Sequence, residues 1–187
     1  KTGAWDLSEL LKDPIKNEFN KSLGDINTKV TNFEEKKSSL EQNISTTDFL
    51  KLIKDSEDIA ESLSYVAGYV HLKYAEDTSS NDIGALVTKI NIFSSEISNK
   101  LLFFDLWFKK VLDEENADRL TKGVPDVYKD YLLHERSMSK YTLNESEEKI
   151  INILDVTGIS ALIKIYDRMT NGFEFEYIEE RGTRKIR

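Results

Sequence analysis

The chain has 187 residues, 39% of them hydrophobic and 32% charged, with a net charge of −8 and no cysteine. That size and balance fit one soluble domain with at most a small appendage. The acidic balance excludes a general nucleic-acid binder, which carries a basic stripe, and the lack of thiols excludes disulfides and thiolate metal sites.

Trp5-Asp6-Leu7 opens the sequence, with Leu10 and Leu11 close behind. A tryptophan beside a terminus is expected to pack onto the domain and pin the tail. Asp13-Pro14 predicts a helix start, since aspartate suits the cap and proline the first helical position, where its missing N–H costs nothing. Ile15, Phe19, Leu23, Ile26, Val30 and Phe33 follow at the period of one buried helical face. Gly24 within that helix is expected to lie under a crossing neighbour. The pattern fades at Lys36-Lys37-Ser38-Ser39.

Ser45-Thr46-Thr47-Asp48 predicts the start of a second long helix, with a hydroxyl cap and an acidic first turn. Its expected core face is Phe49, Leu52, Ile59, Leu63, Val66 and Val70, with Tyr65, Tyr69 and Tyr74 beside it; Ser56 interrupts the stripe. Glu76 to Asn81 is a polar connection of the length that joins antiparallel helices. The third helix, Asp82 to Leu112, is the organising one. Ile83, Leu86, Ile90, Phe93, Ile97, Leu101, Phe104, Phe108 and Val111 step by three or four residues throughout. Within it LLFFDLWF (Leu101 to Phe108) is apolar except at Asp105, so other helices must surround that part. The run is far short of the roughly 20 residues a membrane span needs.

Asp113 to Asn116 reads as a polar break, with a single turn over Ala117 to Thr121. Gly123-Val124-Pro125 then starts a short helix carrying Val127, Tyr128, Tyr131 and Leu132. Asn144-Glu145-Ser146-Glu147 matches a capping box ahead of Ile150, Ile151, Ile153 and Leu154. Thr157-Gly158 breaks the pattern before another short helix carrying Ile159, Leu162, Ile163, Tyr166 and Met169. Asn171-Gly172 is expected to stop it, both residues tolerating a left-handed conformation. Phe173 to Tyr177, FEFEY, changes the period to that of a strand, and Arg181-Gly182 is expected to turn it back on Thr183 to Arg187. The expected fold is therefore all-α, an elongated helical bundle built on a long αα-hairpin, with a short C-terminal β-strand or hairpin. The chain begins at Lys1 and ends in RGTRKIR within the expected strand, so a piece of a larger protein is the expectation.

No catalytic, cofactor-binding or metal-ligating residue is assigned. His134-Glu135 begins like the zinc motif H-E-x-x-H, but Met138 stands where the second histidine belongs. His71 has Ala75 four residues on. Neither glycine-rich phosphate motif occurs. The pairs Glu34-Glu35, Glu114-Glu115 and Glu147-Glu148 are expected to be solvated helix faces and first-turn charges. Tyr65, Tyr69, Tyr74, Tyr128, Tyr131 and Tyr141 suit the margin of a helical core better than a peptide groove. With no leader and no membrane-length apolar run in these residues, a cytoplasmic location is expected.

Three stretches carry a family resemblance: TGAWDLSELLKD at the start, the hairpin loop YAEDTSSND, and HERSMSKYTLNESEEKIINIL. An apolar helix from Ile159 to Met169 and the alternating FEFEY follow in the same order. Together the chain resembles the N-terminal region of oligoendopeptidase F-like zinc metallopeptidases, relatives of the thimet oligopeptidase group. Asn144 departs from a serine-like cap common in that family. The resemblance implies that residues 1–172 form a helical lobe and 173–187 lead into a catalytic domain that holds the zinc, with no zinc ligand among these residues. Its implied partners are the catalytic domain of the same chain and an oligopeptide substrate, with neither nucleic acid nor membrane. The implied activity of the whole is hydrolysis of short unfolded peptides, and this piece alone is expected to be inactive. A free-standing helical protein-interaction module without catalytic activity is the alternative. A coiled-coil dimer suits the third helix but not the interrupted helices elsewhere.

Overall fold

The computed structural model describes residues 6–7, 10, 15–179 and 182–186, and two serine caps set its framework. Ser45 Oγ accepts from the Asp48 N–H at 3.1 Å and begins α2 (Thr46–Glu76). Ser80 Oγ accepts from the Ile83 N–H at 3.4 Å and begins α3 (Asn81–Leu106). Residues 77–80 reverse the chain, so α2 and α3 pair as the expected hairpin, and α1 (Ile15–Glu34) lies along both. A 3-10 turn, Glu35–Ser39, ends α1 where the pattern fades.

The predicted stripes form the core. Phe19, Ile26, Val30 and Phe33 of α1 meet Phe49, Leu52, Ile59 and Val70 of α2, and Ile90, Phe93, Ile97 and Phe104 of α3, all buried. The Phe33 ring sits edge-on to Phe104 with 5.5 Å between centroids, and Phe49 stacks on Phe108 at the same separation. The aromatic run is thus enclosed by helices, as its composition requires. Among the described residues no helix is long and apolar enough to cross a membrane.

Beyond Leu106 the helix widens into a π turn, Trp107–Val111, closed by the Leu112 N–H donating to the Trp107 carbonyl at 2.8 Å. A π turn accommodates an additional residue and slips the register. Val111, expected on the buried face, is therefore 60% exposed, and Leu112 takes its place at 1%. The expected polar break is instead the first turn of α4 (Glu114–Gly123). Asp113 caps it by accepting from the Asn116 N–H at 2.8 Å, and the following glutamates suit the positive end of the helix. Gly123 is required there, because a Cβ would come within 2.8 Å of the Thr46 side chain at the start of α2. Next comes α5 (Asp126–Ser137), with Leu132 buried.

The capping box at Asn144 forms: its side chain accepts from the Glu147 N–H at 3.0 Å, and Glu147 accepts from the Asn144 N–H at 3.0 Å. It opens α6 (Glu145–Thr157), and α7 (Ile159–Asn171) follows. The hairpin β1 (Phe175–Glu179) and β2 (Gly182–Ile186) is antiparallel, with Phe175 opposite Ile186 and Glu179 opposite Gly182. The strand begins two residues later than the alternation suggested, because Phe173 still closes the end of α7 through its N–H to the Thr170 carbonyl.

One glycine expectation is corrected: an added Cβ at Gly24 would meet nothing within 4 Å, so among the described residues no neighbour crosses there. Asn171-Gly172 ends α7 as expected, with Gly172 at φ −83°, a right-handed conformation and not the left-handed one both residues tolerate. Trp5, the Asp13-Pro14 start and Arg181 of the turn lie outside the described residues. Leu7 and Leu10 pack against the core, as a pinned tail would.

Candidate functional site

A cavity of about 400 Å³ opens between α2, the junction of α3 with its π turn, and α5. Helix α2 contributes Phe49, Ile53, Ser56 and Glu57. The junction contributes Phe104, Asp105, Phe108 and Lys109, and α5 contributes Val127, Tyr128, Tyr131, Leu132 and Glu135. The volume is within the range of small-molecule pockets, and the mixture of aromatic walls and few polar groups is also typical of them. Two irregularities of the sequence meet here. Ser56, which breaks the α2 stripe, leaves room by being small and turning its hydroxyl back to the Ile53 carbonyl at 2.8 Å. Asp105, the one polar residue of LLFFDLWF, contributes a carboxyl to the cavity wall.

The lining carries three carboxylates against one ammonium. Lys109 is committed to Glu135, with 2.6 Å between them and both side chains largely covered. Tyr128 donates its hydroxyl to Glu57 at 2.9 Å. No donor among the described residues hydrogen-bonds Asp105, and burial raises its pKa above the usual carboxylate range, with Lys109 opposing and Glu135 reinforcing the shift. Burial, and then the negative charges of Glu135, Asp105 and Glu57, push the Tyr131 hydroxyl up to about 12. The Tyr131 phenol thus senses all three carboxylates at once.

Arg136 holds the wall in shape. Its Nη1 donates to the carbonyls of Phe108 and Lys109, and its Nη2 donates to the Leu112 carbonyl at 2.7 Å and to Glu114 at 2.9 Å. These carbonyls end the π turn and have no helical partner ahead of them, so the guanidinium satisfies what the irregular helix leaves open. Nothing in the spacing of HERSM distinguishes this role; only the packing of α5 across the π turn reveals it.

The other candidates scatter. His71 on α2 and His134 on α5 are both exposed, and among the described residues no three His, Asp or Glu side chains gather as a metal ion would need. Glu147 and Glu148 serve as caps, with Glu148 accepting from the Leu143 N–H at 2.8 Å. Glu114 pairs with Arg136. Of the six tyrosines weighed as a groove, Tyr69 and Tyr74 are buried in the core, Tyr65 and Tyr141 are exposed, and Tyr128 and Tyr131 share the cavity.

A second surface differs in kind. Helices α6 and α7 contain no buried residue. Ile150, Ile151, Ile153 and Leu154 of α6, with Ile159, Leu162, Ile163, Ile165, Tyr166 and Met169 of α7, are 48% to 67% exposed. Toward α3 the pair instead presents polar groups. Asn152 Nδ2 donates to Asn99 Oδ1 at 2.8 Å, and Lys164 Nζ donates to the Gly84 carbonyl at 2.7 Å and to Thr88 Oγ1 at 2.8 Å.

No family model matches the chain, and no curated protein or solved structure is significantly similar to it.

Proposed function

We propose that this chain is the helical lobe of a cytoplasmic zinc-dependent oligoendopeptidase that hydrolyses short unfolded peptides. The observation that carries the reading is the apolar face of α6 and α7. It lies in and directly after the HERSMSKYTLNESEEKIINIL stretch on which the family resemblance rests. Apolar patches of this extent are costly to leave in water and mark a surface that another body covers. In this reading the covering body is the catalytic domain, and the β1–β2 hairpin leads toward it. The lobe supplies one wall of a channel between two bodies. Such a channel admits extended peptides, excludes folded proteins, and keeps bulk water from the reacting bond. The metal and the general base belong to the other domain, so the lobe's contribution is steric.

The test is to follow the reading frame past Arg187, express the whole product and assay it. An H-E-x-x-H helix downstream, cleavage of short quenched peptides, loss of activity on chelation, and sparing of folded proteins are expected. A frame that stops without such a helix overturns the reading and leaves the free-standing interaction module. A full-length product indifferent to chelators, or one that digests folded proteins, overturns it as well.

A further inference from the structure

We infer that the cavity between α2, the α3–π-turn junction and α5 binds a small organic monocation, an amine whose apolar body lies on Phe104 and Phe108 and whose ammonium pairs with Asp105. The inference does not rest on the peptidase reading, since every group involved is in this chain.

Charge comes first. Of the groups lining the cavity, Lys109 pairs with Glu135 at 2.6 Å and acts on Asp105 through its charge alone, so three carboxylates share one cation. Glu57 has the Tyr128 hydroxyl as a donor, whereas Asp105 has no hydrogen-bond donor among the described residues. A carboxylate withdrawn from water without a hydrogen-bond donor is unfavourable, and an ammonium entering the cavity would supply that donor. The hydrogen bond it makes is charge-assisted on both sides.

Shape selects among cations. The carboxylates do not gather at the spacing a metal ion requires, so a bare divalent ion has no ligand set here. Phe49, Phe104, Phe108, Tyr128 and Tyr131 line the cavity, and aromatic faces attract a cation. Space for an apolar body exists because α2 has Ser56 where its stripe calls for a large side chain. The π turn brings Phe108 and Lys109 into the same wall, and turns of this kind recur at functional sites.

The experiment is calorimetric titration of the 187-residue chain with tryptamine, using neutral tryptophol and anionic indole-3-acetate as controls at one pH and salt concentration. Tryptamine is expected to bind about tenfold more tightly than tryptophol, with indole-3-acetate weakest. Asp105→Asn should keep the tryptophol affinity and lose the preference for tryptamine. Ser56→Leu, which fills the space, should weaken both. Absent tryptamine binding, equal affinity for tryptamine and tryptophol, or a preference that survives Asp105→Asn, overturns the inference. Should Asp105→Asn fail to fold, carboxyl-carbon NMR of the unsubstituted chain decides. The Asp105 signal must move with tryptamine and stay with tryptophol, and a signal that ignores both overturns the proposal.

Discussion

Helices α1 to α3 and helices α6 to α7 are made of the same amphipathic material and use it in opposite directions. In the first group the apolar stripes face one another, and Phe33, Phe49, Phe104 and Phe108 interlock. In the second the stripes face outward, while Asn152, Lys164 and Arg168 meet α3 through hydrogen bonds. Helical periodicity therefore fixes that a segment has two faces, and the partner fixes which one is inside. Covering a single exposed Ile or Leu completely contributes about 1.5–3 kcal/mol. The outward stripes of α6 and α7 thus hold a large unused driving force for association, whereas the α1–α3 core has already used its own.

The sharpest break of this comparison is a matched pair of truncations. Phe104→Ala should cost about 3–5 kcal/mol in chemical denaturation, and Leu162→Ala on α7 under about 0.5 kcal/mol. Equal losses would mean that the two groups are packed alike. Trp107→Phe sharpens the first half. It removes an indole N–H that is buried without a partner among the described residues, and should cost far less than Trp107→Ala.

Next in size is Arg136→Leu, expected to cost about 2–3 kcal/mol because buried carbonyls lose a charged donor. Its melting should remain a single transition if the π turn belongs to the core. Asn144→Ala should cost about 1 kcal/mol. Hydrogen exchange should then quicken in α6 and leave α2 untouched, a localisation the comparison requires. The smallest expected effect is a pH trend. Burial raises the folded-state pKa of Asp105 above its unfolded value, so its contribution to stability is fully present below the ordinary carboxylate range. That contribution is lost as pH rises through the raised value. The melting temperature of Asp105→Asn, relative to the unsubstituted chain, should therefore climb from acid toward neutral pH, and a flat difference would contradict the placement of Asp105 in the cavity.

Much of the bundle was legible in the sequence. The stripes of α1, α2 and α3 and the capping box at Asn144 are local patterns, and local patterns survive folding. The start of α4 was missed although Asp113 and the two glutamates after it are a proper helix opening, because a run of acids without an apolar period resembles a loop. The burial of Leu112 in place of Val111 follows from a π turn, which no spacing rule anticipates. The cavity was half legible. Ser56 and Asp105 both stood out as interruptions, yet they lie far apart in the chain. Only the antiparallel register of α2 and α3, with α5 laid across, brings them to one place. Arg136 gave no signal, since its partners are backbone carbonyls and those have no identity in a sequence.

The π turn also gives the cavity a genetic lever. A turn that holds one residue more than an α-helical turn can be undone by losing one codon between Trp107 and Val111. Undoing the turn absorbs the missing residue, so the helix on either side keeps its relation while the residues inside the turn are re-aimed. Lys109 would leave its place opposite Glu135, and the carbonyls that Arg136 holds would re-enter ordinary helical pairing. Phe104 and Asp105, on the near side, would stay where they are. Loss of the codon for Lys109 or Lys110 would thus reshape the cavity wall while leaving the stripes of α1, α2 and α3 in place.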